Sequence, residues 1–285
     1  MTIPPARRVA VNGVTLDVVD AGSGPAVLLL HGFPDRAAMW SHQIETLTAA
    51  GYRVVAPDLR GFGDSDRPAE VDAYRMPVVL GDVTGLLDAL ELPTATVVGH
   101  DWGAVVTWSL TMAAPDRVER LAALSVGHPA AFAAAGARQR QLSWYMLWFC
   151  FPGAAEKALP EDDWRWLRQW AHDGVPDDDP VLTRHLADLA RPGALTAGLN
   201  WYRANVDPVR YVQAGPSGPL PPIGCPVLGV WSDGDMALTE EQMTGSREFV
   251  QGPWRYERLE GVGHWFPEHA AERLSALLLD WLKDS

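Results

Sequence analysis

The stretch 95–104, A-T-V-V-G-H-D-W-G-A, constrains the chain more than any other. An apolar run ends in a glycine, an acid follows between small residues, and a second apolar run begins. The pattern predicts a short buried strand over 96–98 and a helix over 102–114, apolar on nearly every side and ending before Pro115. Gly99-His100-Asp101-Trp102-Gly103 is then the turn between them. Small residues two before and two after the centre let the backbone turn sharply without Cβ clashes, so the Asp101 side chain is held outward in a strained conformation. That is the geometry of a nucleophile elbow, with aspartate where serine is usual. A carboxylate attacks without first giving up a proton and leaves an ester that must be hydrolysed, so its preferred electrophile is a saturated carbon, as in an epoxide or an alkyl halide. Taken alone the turn has a second reading, an acid capping the helix N-terminus. The rest of the chain has to separate the two.

A chain of 285 residues suits one large domain or a core with an insertion. Its formal net charge of −13 argues against nucleic acid or an anionic membrane as partner. Cys150 and Cys225 lie far apart with no C-x-x-C, suggesting neither a disulfide framework nor a zinc site, and both read as buried small apolar residues. Residues 1–8 are not followed by the apolar segment of a secretory signal, and no run approaches the ~18 residues of a membrane span. The expectation is a soluble cytoplasmic protein.

In chain order, Asn12-Gly13 between the apolar-rich runs 9–11 and 14–19 predicts an antiparallel hairpin. Residues 26–30 are continuously apolar, as strands covered on both faces are, and lead into His31-Gly32-Phe33-Pro34, where Gly32 permits an unusual backbone and Pro34 suits a cis bond. A helix over 39–49, a strand over 52–56, a helix over 77–92 and a strand over 118–126 complete a β-α-β series, which implies a parallel sheet. From about 130 to 215 strand signals vanish and aromatics crowd in at helical spacing, which predicts a helical insertion. After a Pro/Gly linker over 213–222, strands over 226–231 and 254–259 and a closing helix over 267–282 resume the sheet. The domain expectation is a core of 1–129 with 214–285, and a helical cap over 130–213.

Loops at three strand ends offer Asp101, Asp235 and His264, the order nucleophile, acid, base. Asp235 can orient His264 through Nδ1–H, leaving Nε2 to activate a water. With these residues the chain resembles an α/β-hydrolase of the epoxide hydrolase family over nearly its whole length. His31-Gly32-Phe33-Pro34 is similar to that family's H-G-x-P loop, Gly99-His100-Asp101-Trp102-Gly103 to its aspartate elbow, and Asn200-Trp201-Tyr202-Arg203 to its N-W-Y-R cap motif. The resemblance implies a mostly parallel sheet flanked by helices, with a helical cap inserted after the sixth strand. It also implies catalytic roles for Asp101, His264, Asp235 and two cap tyrosines, Tyr145 and Tyr202, with an oxyanion hole from the backbone of Phe33 and Trp102. Substrate contacts are expected from Trp102, Phe33 and Pro34. Asp233, two residues before Asp235, competes for the acid role; Asp235 fits the family's spacing better, and Asp233 reads as a turn residue.

The function implied is hydrolysis of a small apolar epoxide by water through an aspartyl ester, with no cofactor, no metal, no nucleic acid and no membrane, by a monomer or homodimer. Two other readings remain. A haloalkane dehalogenase shares the aspartate ester and the fold, but its second halide ligand usually lies in the H-G loop, where Phe33 offers no side-chain N–H. A non-catalytic binding protein can use the same scaffold, although such proteins usually lose a member of the set. Cys150 and Phe151 replace a more polar stretch of the family, and residues 125–129 match its strand-to-cap junction only in part. Both departures bear on substrate shape.

Overall fold

The structure, a computed structural model, describes residues 4–213 and 219–283. Strands β1 (Arg7–Val11), β2 (Val14–Gly22), β3 (Ala26–Leu30), β4 (Arg53–Pro57), β5 (Ala95–His100), β6 (Val118–Leu124), β7 (Val227–Gly234) and β8 (Trp254–Gly263) form one sheet in the order β1-β2-β4-β3-β5-β6-β7-β8. β1 and β2 are the expected hairpin: Asn12 and Gly13 both have positive φ, 43° and 78°, as a two-residue turn of primed type demands. From β4 to β8 the neighbours are parallel.

These parallel strands are covered on both faces, which is why their sequences run apolar without alternating. In β3, Val27 and Leu29 pack with α1 (Ser41–Ala49) and the C-terminal helix Ala271–Lys283. Leu28 and Leu30 point the other way, into a core shared with α2 (Met76–Ala89) and α3 (Trp102–Ala113). Such alternate burial requires the pleat period of two.

The strand order reverses at β3, which has β4 on one side and β5 on the other. Open α/β sheets form their crevice beyond the carboxyl ends of strands at such a point. Leu30 stands in register with Gly99. The loop after β3 and the turn after β5 therefore leave the sheet side by side.

β6 and β7 are joined by a helical insertion that includes Pro129–Ala134, Gly136–Leu142, Tyr145–Phe149, Pro180–Leu189 and Ala194–Asn205. It is tied to the sheet domain by named contacts. The Trp201 indole donates to the Arg60 carbonyl at 3.1 Å, Asn205 accepts from the Met76 N–H and donates to the Tyr74 carbonyl, each at 2.8 Å, and Arg36 pairs with Asp188 at 2.7 Å.

Several boundaries differ from those the sequence predicts. β1 begins at Arg7, and β7 continues to Gly234. β6 stops at Leu124 because Ser125 adopts φ 68°, which breaks an extended strand. The closing helix is two, Phe266–His269 and Ala271–Lys283, with Ala270 at φ −128° between them. Gln213 ends the helix Pro208–Gln213 rather than opening a linker, and 214–218 lie outside the described residues. Cys150 and Cys225 are free, as expected, but half-buried rather than buried. Among the described residues no helix is long and apolar enough to cross a membrane.

Candidate active site

Asp101 occupies the turn between β5 and α3 with φ 52° and ψ −122°, a backbone conformation that L residues rarely adopt. What holds it there is close approach. A Cβ on Gly103 would lie 2.0 Å from the Leu30 carbonyl oxygen, so α3 starts hard against β3. A Cβ on Gly32 would lie 2.2 Å from Asp101 Oδ1. The space Gly32 leaves free is where the Phe33 N–H reaches Asp101 Oδ1, at 2.9 Å; the Trp102 N–H also donates to this carboxylate. Both backbone donors expected from the sequence thus converge on Asp101.

His31 fixes the loop that carries Phe33. It is buried; its Nε2 accepts the Leu59 N–H at 2.8 Å, which leaves Nδ1–H to donate to the Gly32 carbonyl at 2.9 Å. Burial pushes its pKa down, so the neutral ring that can do both is the form present. The Phe33–Pro34 bond is cis.

Asp235 meets His264. Its Oδ1 accepts the N–H groups of Ala237 and Leu238 at 2.9 and 3.0 Å, and this anchoring aims Oδ2 at His264 Nδ1, 2.9 Å away. Asp233 turns elsewhere, accepting the Gly261 N–H at 2.8 Å and facing Arg258. The other imidazole nitrogen, Nε2, lies 3.8 Å from Asp101 Oδ2. Burial on its own would lower the pKa of His264, but the charge and hydrogen bond of Asp235 and the charge of Asp101 outweigh it and hold it above 6.5. Asp101 is raised by burial, against the pull of His264 and of its two N–H donors.

Tyr145 and Tyr202 descend from the insertion, buried, with rings edge to face 6.0 Å apart. Tyr202 also packs on Phe33 and Trp102, at ring separations of 5.7 and 5.1 Å. Burial above all pushes both phenols well above 10, and the charge of Asp101 adds to it, so both keep their protons at neutral pH. With Asp101 and Trp102 they line a cavity of about 440 Å³.

Two features escape a reading of the sequence. His100, inside the elbow, bonds through Nε2 to the His264 carbonyl at 3.0 Å and so braces the histidine loop. Asp35, directly after Pro34, is buried and binds Arg184 and His185 of the insertion, each at 2.9 Å, while Arg184 also pairs with Glu268 at 2.5 Å. Its place behind the H-G-F-P turn is the only local signal for it. Asp35, His185 and Glu268 come close enough together to hold a cation, but the Arg184 guanidinium already bridges the two acids.

The reversed strand order, the strained turn after β5 and the helical insertion after β6 define the α/β hydrolase fold, and residues 25–270 match that family. Epoxide hydrolase A of Mycobacterium tuberculosis is 36% identical across 99% of this chain and 98% of its own length. An epoxide hydrolase of Caballeronia sordidicola is 32% identical across 96% and 92%. The crystal structure of Epoxide Hydrolase A from Mycobacterium thermoresistibile superposes with a TM-score of 0.84 at 33% identity, over 99% of this chain and 98% of that one. The chain belongs to the epoxide hydrolase family.

Proposed function

We propose that this enzyme hydrolyses an apolar epoxide to a vicinal diol through an ester of Asp101, with residues 130–213 acting as a cap over the sheet domain. The observation that carries it is one cavity lined by a carboxylate and by two buried phenols that keep their protons. Asp101 Oδ1 is held by the Phe33 N–H, which leaves Oδ2 to attack. Oδ2 bonds to a ring carbon from the back, the ring C–O bond breaks, and the released alkoxide takes a proton from the tyrosine pair, whose phenolate regains one from solvent because both phenols titrate well above 10. Next, His264 takes a proton from water as the water oxygen adds to Cγ of Asp101. The charge that builds on Oδ1 is met by the N–H groups of Phe33 and Trp102, donors worth ~3 to 4 kcal/mol each in comparable sites. Collapse breaks the Cγ–Oδ2 bond, the diol leaves with Oδ2 and the proton from His264, and the acid proton left on Asp101 passes to solvent, which restores the free enzyme.

Ester formation also prepares its own hydrolysis. It removes the Asp101 charge, one of the groups that holds the His264 pKa up, so the imidazole loses its proton more readily in the ester than in the free enzyme. Only the neutral ring can accept a proton from water. Decay of the ester therefore slows as pH falls through the His264 pKa, and its acid limb is expected below the pH at which His264 titrates in the free protein. Single-turnover decay across pH, set against imidazole NMR titration, checks this; coincident midpoints would remove the coupling.

A hydrogen bond to a charged group is worth ~1.5 to 3 kcal/mol, or roughly ten- to a hundred-and-fifty-fold in rate. Tyr145→Phe or Tyr202→Phe alone is expected to slow ester formation within that range, and the double variant by more, because one phenol covers for the other. Ester hydrolysis is expected to be unchanged. Rapid-quench measurement of both halves is the check, and wild-type ester formation in the double variant would reduce the tyrosines to packing.

The dehalogenase reading is weaker because Phe33 has no side-chain N–H to hold a halide and because two phenols occupy the place above Asp101. Assays for diol from epoxides and for halide from haloalkanes separate the two. Diol without halide is expected, halide without diol would reverse the assignment, and binding without either would leave a non-catalytic protein.

A further inference from the structure

Two cavities meet at the same place. The larger, about 440 Å³, extends from Asp101 past Trp102 between apolar walls that include Val105, Val126, Phe132, Met146 and Leu238. The smaller, about 20 Å³, extends the other way, under Leu167, Trp170 and Met236 and against His264. Among the described residues, only Asp101, Tyr145 and Tyr202 line both. These are the nucleophile and the two groups assigned to the epoxide oxygen. An epoxide seated with its oxygen on the phenols and a ring carbon over Asp101 has its two carbons at the junction, and it directs what each carbon bears into a different cavity.

The two spaces admit different things. A cavity of ~150 Å³ accommodates benzene, so the larger one takes an aryl group with room beyond it. The smaller one is of the size of a single water, for which ~10 to 15 Å³ suffices, and it offers that water polar partners in His264 and Asp101. It is where the proton acceptor of the second step faces the ester. A bulky group there would collide with Leu167, Trp170 and Met236 and would also displace the water.

We infer that the enzyme is selective for terminal epoxides, which bear one apolar, aryl-sized group in the large cavity and only hydrogen on the ring carbon facing the small one. Leu167, Trp170 and Met236 are the residues that set this preference. The inference rests on the epoxide reading above and adds the substrate class to it. Two groups on one ring carbon are then tolerated where the same two groups on opposite carbons are not.

The test compares kcat/KM for styrene oxide, trans-stilbene oxide and the isomer of stilbene oxide that carries both phenyl groups on one ring carbon. Wild type is expected to favour styrene oxide over trans-stilbene oxide by about 100-fold or more, on the scale that one misfitting group commands in a specificity pocket, and to handle the isomer better than trans-stilbene oxide. Met236→Ala and, separately, Leu167→Ala are expected to narrow the ratio of styrene oxide to trans-stilbene oxide by about tenfold. A ratio taken within one preparation does not depend on how much of a variant is folded. Styrene oxide turnover with trans-stilbene oxide within about threefold of it would overturn this inference alone. Ratios unmoved in both variants would overturn the assignment of the walls. No turnover of any of the three would overturn the epoxide reading and this inference with it.

Discussion

Asp101→Ala is expected to abolish diol formation while the protein stays folded. Removal of a nucleophile that works as part of a constellation costs on the order of a millionfold in kcat in comparable enzymes, and among the described residues no other carboxylate lines both cavities beneath the tyrosines. The fold does not depend on the ionised side chain. Burial raises the folded pKa of Asp101 above its unfolded value, so keeping it charged costs stability once pH exceeds the unfolded pKa, and the cost is full above the folded one. At neutral pH alanine lifts that cost but also takes the acceptor from the Phe33 and Trp102 N–H groups, and the melting temperature is expected to stay close to that of wild type. A folded Asp101→Ala protein with substantial turnover would end the mechanism, and a collapsed one would mean that the carboxylate is structural.

The second large effect is expected at His264. His264→Ala keeps Asp101 and both tyrosines, so it still forms the ester, but nothing takes the proton from water. The protein should then gain the mass of one epoxide and stop, as read by intact-mass spectrometry and by a burst of one equivalent. Absence of the adduct despite demonstrated epoxide binding would count against a water-activating role. Asp235→Asn is expected to act on the same half-reaction through orientation. The N–H groups of Ala237 and Leu238 will hold the amide oxygen where Oδ1 sits, which turns the NH₂ toward His264 Nδ1 and forces the ring proton onto Nε2. Enforcing that tautomer costs ~10⁴-fold where an equivalent swap has been made.

Much of this is legible in the sequence because it is local. The elbow is written in Gly99, Asp101 and Gly103, and the hairpin in Asn12-Gly13, each within a few residues. The core strands show as unbroken apolar runs because helices cover both faces. Asp235 is harder to tell from Asp233, since what separates them is which one the N–H groups of 237 and 238 capture. Asp35 and Arg184, 149 residues apart, and Arg184 and Glu268, 84 apart, meet only through folding of the insertion onto the sheet domain. The same holds for Trp170 and Met236, whose part in walling the small cavity has no pattern along the chain. Boundaries slip where a single dihedral decides, as at Ser125 and Ala270.

The central claim is that the diol takes one oxygen from Asp101 and not directly from water. One turnover in water enriched in the heavy oxygen isotope, with enzyme in excess over epoxide, tests it most directly. An unlabelled diol is predicted, with the heavy isotope found in the peptide that contains Asp101. A labelled diol and an unlabelled Asp101 would show that water attacks the epoxide itself and would contradict the ester.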